Sequence, residues 1–351
     1  MSGNPDESSL TRAKLGTDGC DEGHHPANPT GGPGEPLIMP LPEKYSLHVN
    51  HFIECGWCSI FNSVQFFQLH KSGSAFYFQL AATSPSRVVG IAHFTEVEPG
   101  YFRSPVRGTF GGFEFGENLR VQAVEGFVAE VERQLREAGA RNIEILAPPT
   151  NLNASASAVL YNVLVRRGYA VKYADLDCFL LVDAVPLVEK VKHSRRQRIH
   201  KCRRDGMSAV EVEEGLREQV YDVIFANRSR RGYPVTMTYE AIQEMAAAFP
   251  KGLVFFGAFS GEEMIASSIC VWISPAVLYV FYWGDLPGWE KFSPVSLLAE
   301  TIYDYAWQNG CRMLDLGTST KDGLPNYGLM DFKHEMGCQE ALKLTFVKTL
   351  N

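Results

Sequence analysis

The chain lacks a basic excess, a disulfide framework and a leading apolar signal, and each absence removes a class of function. Its 33 Lys and Arg stand against 40 Asp and Glu for a net charge of -7, so the molecule as a whole is no general binder of polyanions. Any basic site must be local. Cysteines at 20, 55, 58, 178, 202, 270, 311 and 338 are scattered without paired spacing, and no charged-then-apolar segment opens the sequence, which together point to a reducing cytoplasm. "CGWC", Cys55 to Cys58, has the spacing of zinc and redox sites. No later CxxC follows and no thioredoxin-like βαβ unit surrounds it, so it reads as small buried groups and no metal is expected. One run, Met264 to Gly284, is free of charge over a bilayer-spanning length. Ser274-Pro275 interrupts it and both flanks are β-branched and aromatic, which predicts a buried β-hairpin and no membrane span.

What is present is a globular composition, 45% apolar over 351 residues, long enough for two domains. Residues 1–42 are rich in Gly, Pro, Ser, Asp and Asn, with too few large apolar groups to offset ordering entropy, and read as a disordered tail. Beyond it, strand-like and helix-like periodicity alternate in two similar passes, over 43–184 and 185–351. Each pass gives three strands, a helix, a strand, a helix and a strand, a mixed α/β class. "LREAGARNIEILA" matches "AWQNGCRMLDLG", and "LVRRGYAVKYADLDCFLL" matches "KHEMGCQEALKLTFV". The matches set Gly139 against Gly310 and Gly168 against Gly337, each suited to a left-handed helix C-cap.

That unit resembles the GNAT acyltransferase fold, and two in tandem resemble the FemAB-type relatives, which include aminoacyl-tRNA-dependent transferases of peptidoglycan synthesis. The stretches that carry the likeness are "NSVQFFQLH", "SRRQRIHKCRRDGM", "RRGYPV", "SPVSLLAETIYDYAWQNGCRMLDLGTS" and "FKHEMG". It is most similar to FemAB-like proteins of exopolysaccharide and exosortase systems, covering about residues 43 to 349. Leu316 replaces the usual aromatic of that pattern and Thr318 its usual arginine. No long charged coiled-coil insertion is present.

The resemblance implies acyl transfer, with acetyl from acetyl-CoA the first expectation and aminoacyl-tRNA or a catalytically dead binding protein the alternatives. The acceptor would be an amine of a small molecule, sugar or peptide. Lys333, beside Phe332, takes the role of the family's cleft lysine. A cation there would stabilise an oxyanion or bind phosphate; the plain alternative is a lysine that snorkels to water near a helix end. Asp315, ending the strand "RMLDLG", is the best-placed proton acceptor, with Tyr282, Asp285, Tyr327 and His334 behind it. Ser293 suits an N-cap and Pro294 the first helical position, leaving free N–H groups for a CoA pyrophosphate or simply an ordinary capped helix. Cofactor contacts are expected at Ser293, Val295, Ser296 and Trp283, and substrate contacts at Phe332, Tyr327 and Arg231. Asp285 and Glu290 in that loop, and Glu114 and Glu117 in the corresponding loop of the first pass, oppose a phosphate. Finally, Lys190 to Arg204 holds eight basic residues and no acid, a local field that would suit tRNA or a solvated helix face.

Overall fold

The protein is described by a computed structural model over residues 40–116 and 119–350; most of the expected tail, and Glu117, lie outside them. The first pass contains β1 (Tyr45–Val49), α1 (Val64–His70), β2 (Ala75–Thr83), β3 (Ser86–Glu98), β4 (Tyr101–Ser104), β5 (Glu114–Phe115), α2 (Val121–Glu137), β6 (Asn142–Leu146), α3 (Ala154–Arg166) and β7 (Ala170–Leu181). Two short helices follow, α4 (Leu187–Lys190) and the basic α5 (His193–Arg204). The second pass then adds β8 (Met207–Glu211), α6 (Arg217–Arg230), α7 (Tyr239–Ala248), β9 (Leu253–Ser260), β10 (Glu263–Ser274) and β11 (Val277–Asp285). It ends with α8 (Pro294–Gln308), β12 (Met313–Thr318), the hairpin of β13 (Thr320–Lys321) and β14 (Leu324–Pro325), α9 (Tyr327–Glu335) and β15 (Gln339–Thr349). Gly139, Gly168, Gly310 and Gly337 all take left-handed φ angles, as their place past a helix end requires. The charge-free run is the β10–β11 hairpin, and among the described residues no helix is long and apolar enough to cross a membrane. Met264 to Val271 is buried without a break because α6 and α8 both pack on β10.

All the long strands join one mixed sheet in the order β1-β2-β3-β4-β6-β15-β7-β12-β11-β10-β9-β8. The order is symmetric about its centre. β4 pairs parallel with β6 and β11 parallel with β12, while the remaining neighbours on both sides are antiparallel. The pairing alone therefore repeats the internal duplication read from the sequence.

What the periodicity did not reveal is where the last strand of each pass goes. β7 pairs with β12 of the second pass, and β15 pairs with β6 of the first. The two exchanged strands then pair with each other from Gln339 opposite Phe179 to Val347 opposite Ala170. Each half thus completes its sheet with the other's strand. Phe346 of β15 is fully buried in the first half's core with Phe127, Ile143, Val163 and Leu164, its ring 5.1 Å from that of Tyr161. A further core ties Ile60, Phe61 and Phe110 of the first pass to Ile269, Val271 and Val277 of the second.

Truncating Phe346 opens a cavity in a core made mostly by the other half. Phe346→Ala is expected to cost about 3–5 kcal/mol in urea unfolding. Because the ladder is shared, tryptophan emission and far-ultraviolet circular dichroism should still change in one coincident transition; two separated transitions would show that the halves unfold independently.

Candidate active site

At the end of β12 the ladder slips against β7 between Asp315 and Thr318. Gly317 sits at the slip with φ +73°, and a Cβ there would come within 3.3 Å of the Tyr279 ring, so both backbone shape and space call for glycine. Asp315 folds back on the turn, its Oδ1 accepting the Gly317 N–H at 2.7 Å. Lys333, from α9, reaches the same turn from the helix side and donates to the carbonyls of Gly317 at 2.7 Å and Thr318 at 3.0 Å. An ammonium has three donors, so one remains. Opposite Thr318 in the ladder stands Asp177 of β7, a residue of the first pass. Strand exchange thus brings an acid from one half to the acid and the lysine of the other.

Asp177, Asp315 and Lys333 are all 2% exposed or less. Burial raises the Asp177 carboxyl to about 6 despite the nearby Lys343 and Lys333. Asp315 is driven well above the carboxylate range by burial and by the charge of Asp177, against the pull of the Gly317 N–H. Two acids this close hold a proton between them more readily than either alone. Burial also lowers the Lys333 ammonium, opposed by neighbours that include Asp177 and Asp315. Two buried acceptors here have no hydrogen-bond partner among the described residues: Oδ2 of Asp177 and Oδ1 of Asn151. Asn151, on the loop after β6, lies against Asp177 and gives its amide to Met313 Sδ at 3.3 Å.

The other expected residues spread around this centre. Phe332 packs edge-on to Trp283 with ring centroids 5.7 Å apart, and the Arg195 guanidinium lies 4.5 Å over the Phe332 ring. Ser293 does precede α8, but in a left-handed conformation and without a side-chain cap. Its hydroxyl instead accepts from Arg195 Nη1 at 2.9 Å, with Ser296 Oγ 3.4 Å from the same nitrogen, while Arg195 Nε bonds Glu335 at 2.8 Å. Both hydroxyls thus accept from a buried arginine at the start of α8. Val295 packs at the edge of the core beneath α8. Tyr282 is buried, its hydroxyl bonded to Thr236 and its ring 5.1 Å below the Arg228 guanidinium. Tyr327 is 73% exposed, next to Asn326, which caps α9 and donates to the Tyr233 hydroxyl at 3.1 Å. His334 is exposed. Arg231 lies 3.5 Å from Asp285, with Arg230 3.7 Å away and also 2.6 Å from Glu290. Arginines of α6 therefore neutralise the two acids expected to repel a phosphate.

On α5, Arg203 pairs with Glu300, and Arg196 donates to the Val188 and Glu189 carbonyls. Lys192, Arg198 and Arg204 are exposed. Cys55 and Cys58 are free thiols, and no cluster able to hold a metal occurs among the described residues. The first pass keeps only part of the constellation. Glu144 follows Gly139 at the spacing by which Asp315 follows Gly310, but Leu164 precedes Gly168 where Lys333 precedes Gly337. Asp177 went unnoticed because its partner is fixed by strand exchange. The one local signal was an acid set between the apolar residues of "ADLDCFLL".

Residues 189–334 match the model of the acetyltransferase (GNAT) domain family. Among solved structures the chain is similar to FemX, at 14% identity and a TM-score of 0.64, over 83% of this chain and 92% of that one. It is also similar to L-PGS from Bacillus licheniformis, at 11% identity and a TM-score of 0.51, over 75% and 82%. The C-terminal domain of a putative lysylphosphatidylglycerol synthetase from Agrobacterium fabrum follows at 12% identity and 0.50, over 74% and 81%. At these identities the likeness is one of fold. No curated protein sequence matches the chain.

Removing the buried cation tests the electrostatics directly. Lys333→Met leaves two carbonyls without their donor and the acid pair with one nearby lysine fewer, and is expected to destabilise by about 3–5 kcal/mol near pH 8. The acids have raised values in the folded state, so they favour folding when protonated and oppose it as pH climbs through about 6. Urea melts at pH 5 should therefore show a cost smaller by about 1 kcal/mol or more. An equal cost at both pH values would mean that only the carbonyl bonds mattered.

Proposed function

We propose that this FemAB-like, GNAT-fold acyltransferase moves an aminoacyl group from an aminoacyl-tRNA to an amine, at the end of β12. The observation that carries the amine is the buried acid pair, Asp177 beside Asp315, whose affinity for a proton is raised at the end of β12. A primary amine that attacks a carbonyl must lose a proton, and such a pair can take it. As its nitrogen bonds to the carbonyl carbon, the Asp177–Asp315 pair takes the proton that the nitrogen must lose, and the carrier's ester oxygen leaves with the electron pair of the broken bond. Lys333 acts through the backbone it holds. By fixing the Gly317–Thr318 turn it keeps Asp315 aimed, and its charge keeps the acids from both staying protonated near neutrality.

The donor is chosen on two observations. At the start of α8, Ser293 stands in a left-handed conformation without a side-chain cap, and not as the N-cap expected at a pyrophosphate site. The exposed cations of α5 offer phosphates a local basic surface on an otherwise acidic chain. One protein of similar fold is named a putative lysylphosphatidylglycerol synthetase, which supports an aminoacyl donor. Acetyl-CoA is the second reading, favoured by the GNAT domain match.

Aminoacyl-tRNA is expected to raise the melting temperature and acetyl-CoA to leave it unchanged, since only a ligand of the native state stabilises it. The tRNA affinity should fall steeply with added salt, and more weakly so in an Arg198→Glu, Arg204→Glu variant. Stabilisation and turnover with acetyl-CoA alone would reverse the choice of donor. For the chemistry, Asp315→Asn is expected to lower turnover about 10²–10⁴-fold. Wild-type turnover should rise with pH through about 6, where Asp177 loses its proton, and this limb should shift in Asp177→Asn. A pH profile identical in the two would remove the acid pair from the mechanism.

A further inference from the structure

The ends of β4 and β6 in the first half correspond, through the symmetric strand order, to the ends of β11 and β12 where the buried centre lies. Here the space is open. A cavity of about 240 Å³ is walled by Trp57, Phe110, Phe115 and Leu160 of the first half and closed by Ile273 and Val277 from the β10–β11 turn of the second. The rest of its lining is apolar or uncharged polar, apart from one carboxylate among the described residues, Glu114.

Glu114 is half-anchored. Oε1 accepts the Ser59 N–H at 2.8 Å, and Oε2 accepts the Ser59 hydroxyl at 2.7 Å and the Asn62 amide at 2.8 Å. Of the roughly four acceptor positions of a carboxylate, one stays open. No lysine or arginine of the described residues forms an ion pair with it; burial raises its carboxyl and only the Ser59 and Asn62 bonds act against that. Asn153 caps the start of α3 through the Ala156 N–H at 3.0 Å, and the bonds to Glu114 come from Ser59 and Asn62 alone. A carboxylate in apolar walls without a cation is costly unless something pairs with it.

We propose that this cavity is a binding site for a small primary amine with an apolar body, its ammonium on Glu114 and its ring or short chain among Trp57, Phe110 and Phe115. The ammonium supplies the missing charge through a charge-assisted hydrogen bond, and the aromatic faces suit both the apolar body and the cation. Its volume, below the roughly 300 Å³ at which pockets for drug-sized ligands begin, limits the occupant to a single ring or a short chain. The second half places arginines at the corresponding strand ends; among the described residues the first places an acid, Glu114. The site stands or falls apart from the identity of the acyl donor, because its test reads binding and not transfer.

Isothermal titration of the full chain with benzylamine and with benzyl alcohol tests it. The amine is expected to bind about tenfold more tightly or better. Glu114→Gln should abolish that preference. Ala156→Leu, which narrows the cavity without touching Glu114, should weaken both probes. Equal affinities in the wild-type chain, no binding of the amine at millimolar concentration, or unchanged binding in Ala156→Leu would each overturn the proposal, even if Glu114→Gln failed to fold.

Discussion

The pairing of β7 with β15 is the interaction on which the rest depends. Without it the sheet would part at its centre, and β7 and β15 would each present an unpaired edge in the middle of the molecule. Backbone groups at such an edge, buried between cores, would have no partner, so hydrogen bonding holds the two exchanged strands together before any side chain is considered. Its consequence is chemical. Asp177 belongs by sequence to the first half, but the strand that carries it pairs with β12, and only there does it meet Asp315 and Lys333.

Much of the fold was legible because local rules and global structure agree. The helices Ala154–Arg166 and Tyr327–Glu335 are each the second helix expected in their pass, and Asn153 and Asn326 cap them. The four glycines past helix ends take the backbone shape that made them recognisable as a repeat. The partner of each final strand was not legible. A strand's pattern of apolar residues records which faces are buried, not which neighbour bonds its edges, and exchange between similar halves leaves that pattern unchanged. Ser293 shows a smaller failure of the same kind. Its place before Pro294 predicted a cap, but Arg195, remote in sequence, draws the hydroxyl away.

The buried charges explain why the lysine of "FKHEMGC" stands so close to a core strand. An ammonium 2% exposed is expensive by itself, yet two carbonyls freed by the slip in β12 need donors, and two acids nearby need a cation. Each group makes the others tolerable. A leucine fills the corresponding place in the first half, and there Glu144 is paired instead with Lys172 at 2.5 Å and Arg103 at 3.2 Å. The duplicated positions thus diverged together, lysine beside the acid in one copy, leucine with an acid paired elsewhere in the other.

The same divergence holds at the strand ends. In the second half, Arg230 and Arg231 compensate Asp285, and Arg195 closes the helix start with Glu335 as its own counter-charge. In the first half, Glu114 faces its cavity with hydrogen bonds but no counter-charge. A duplication begins with two equal copies of one opening, so a difference in how charge is balanced must have arisen by substitution within one shared frame. Because the exchanged strands lock that frame, each opening was free to change its polarity without moving the other. One sheet can therefore carry two unlike pockets, and the ladder between β7 and β15 is what allows them to differ.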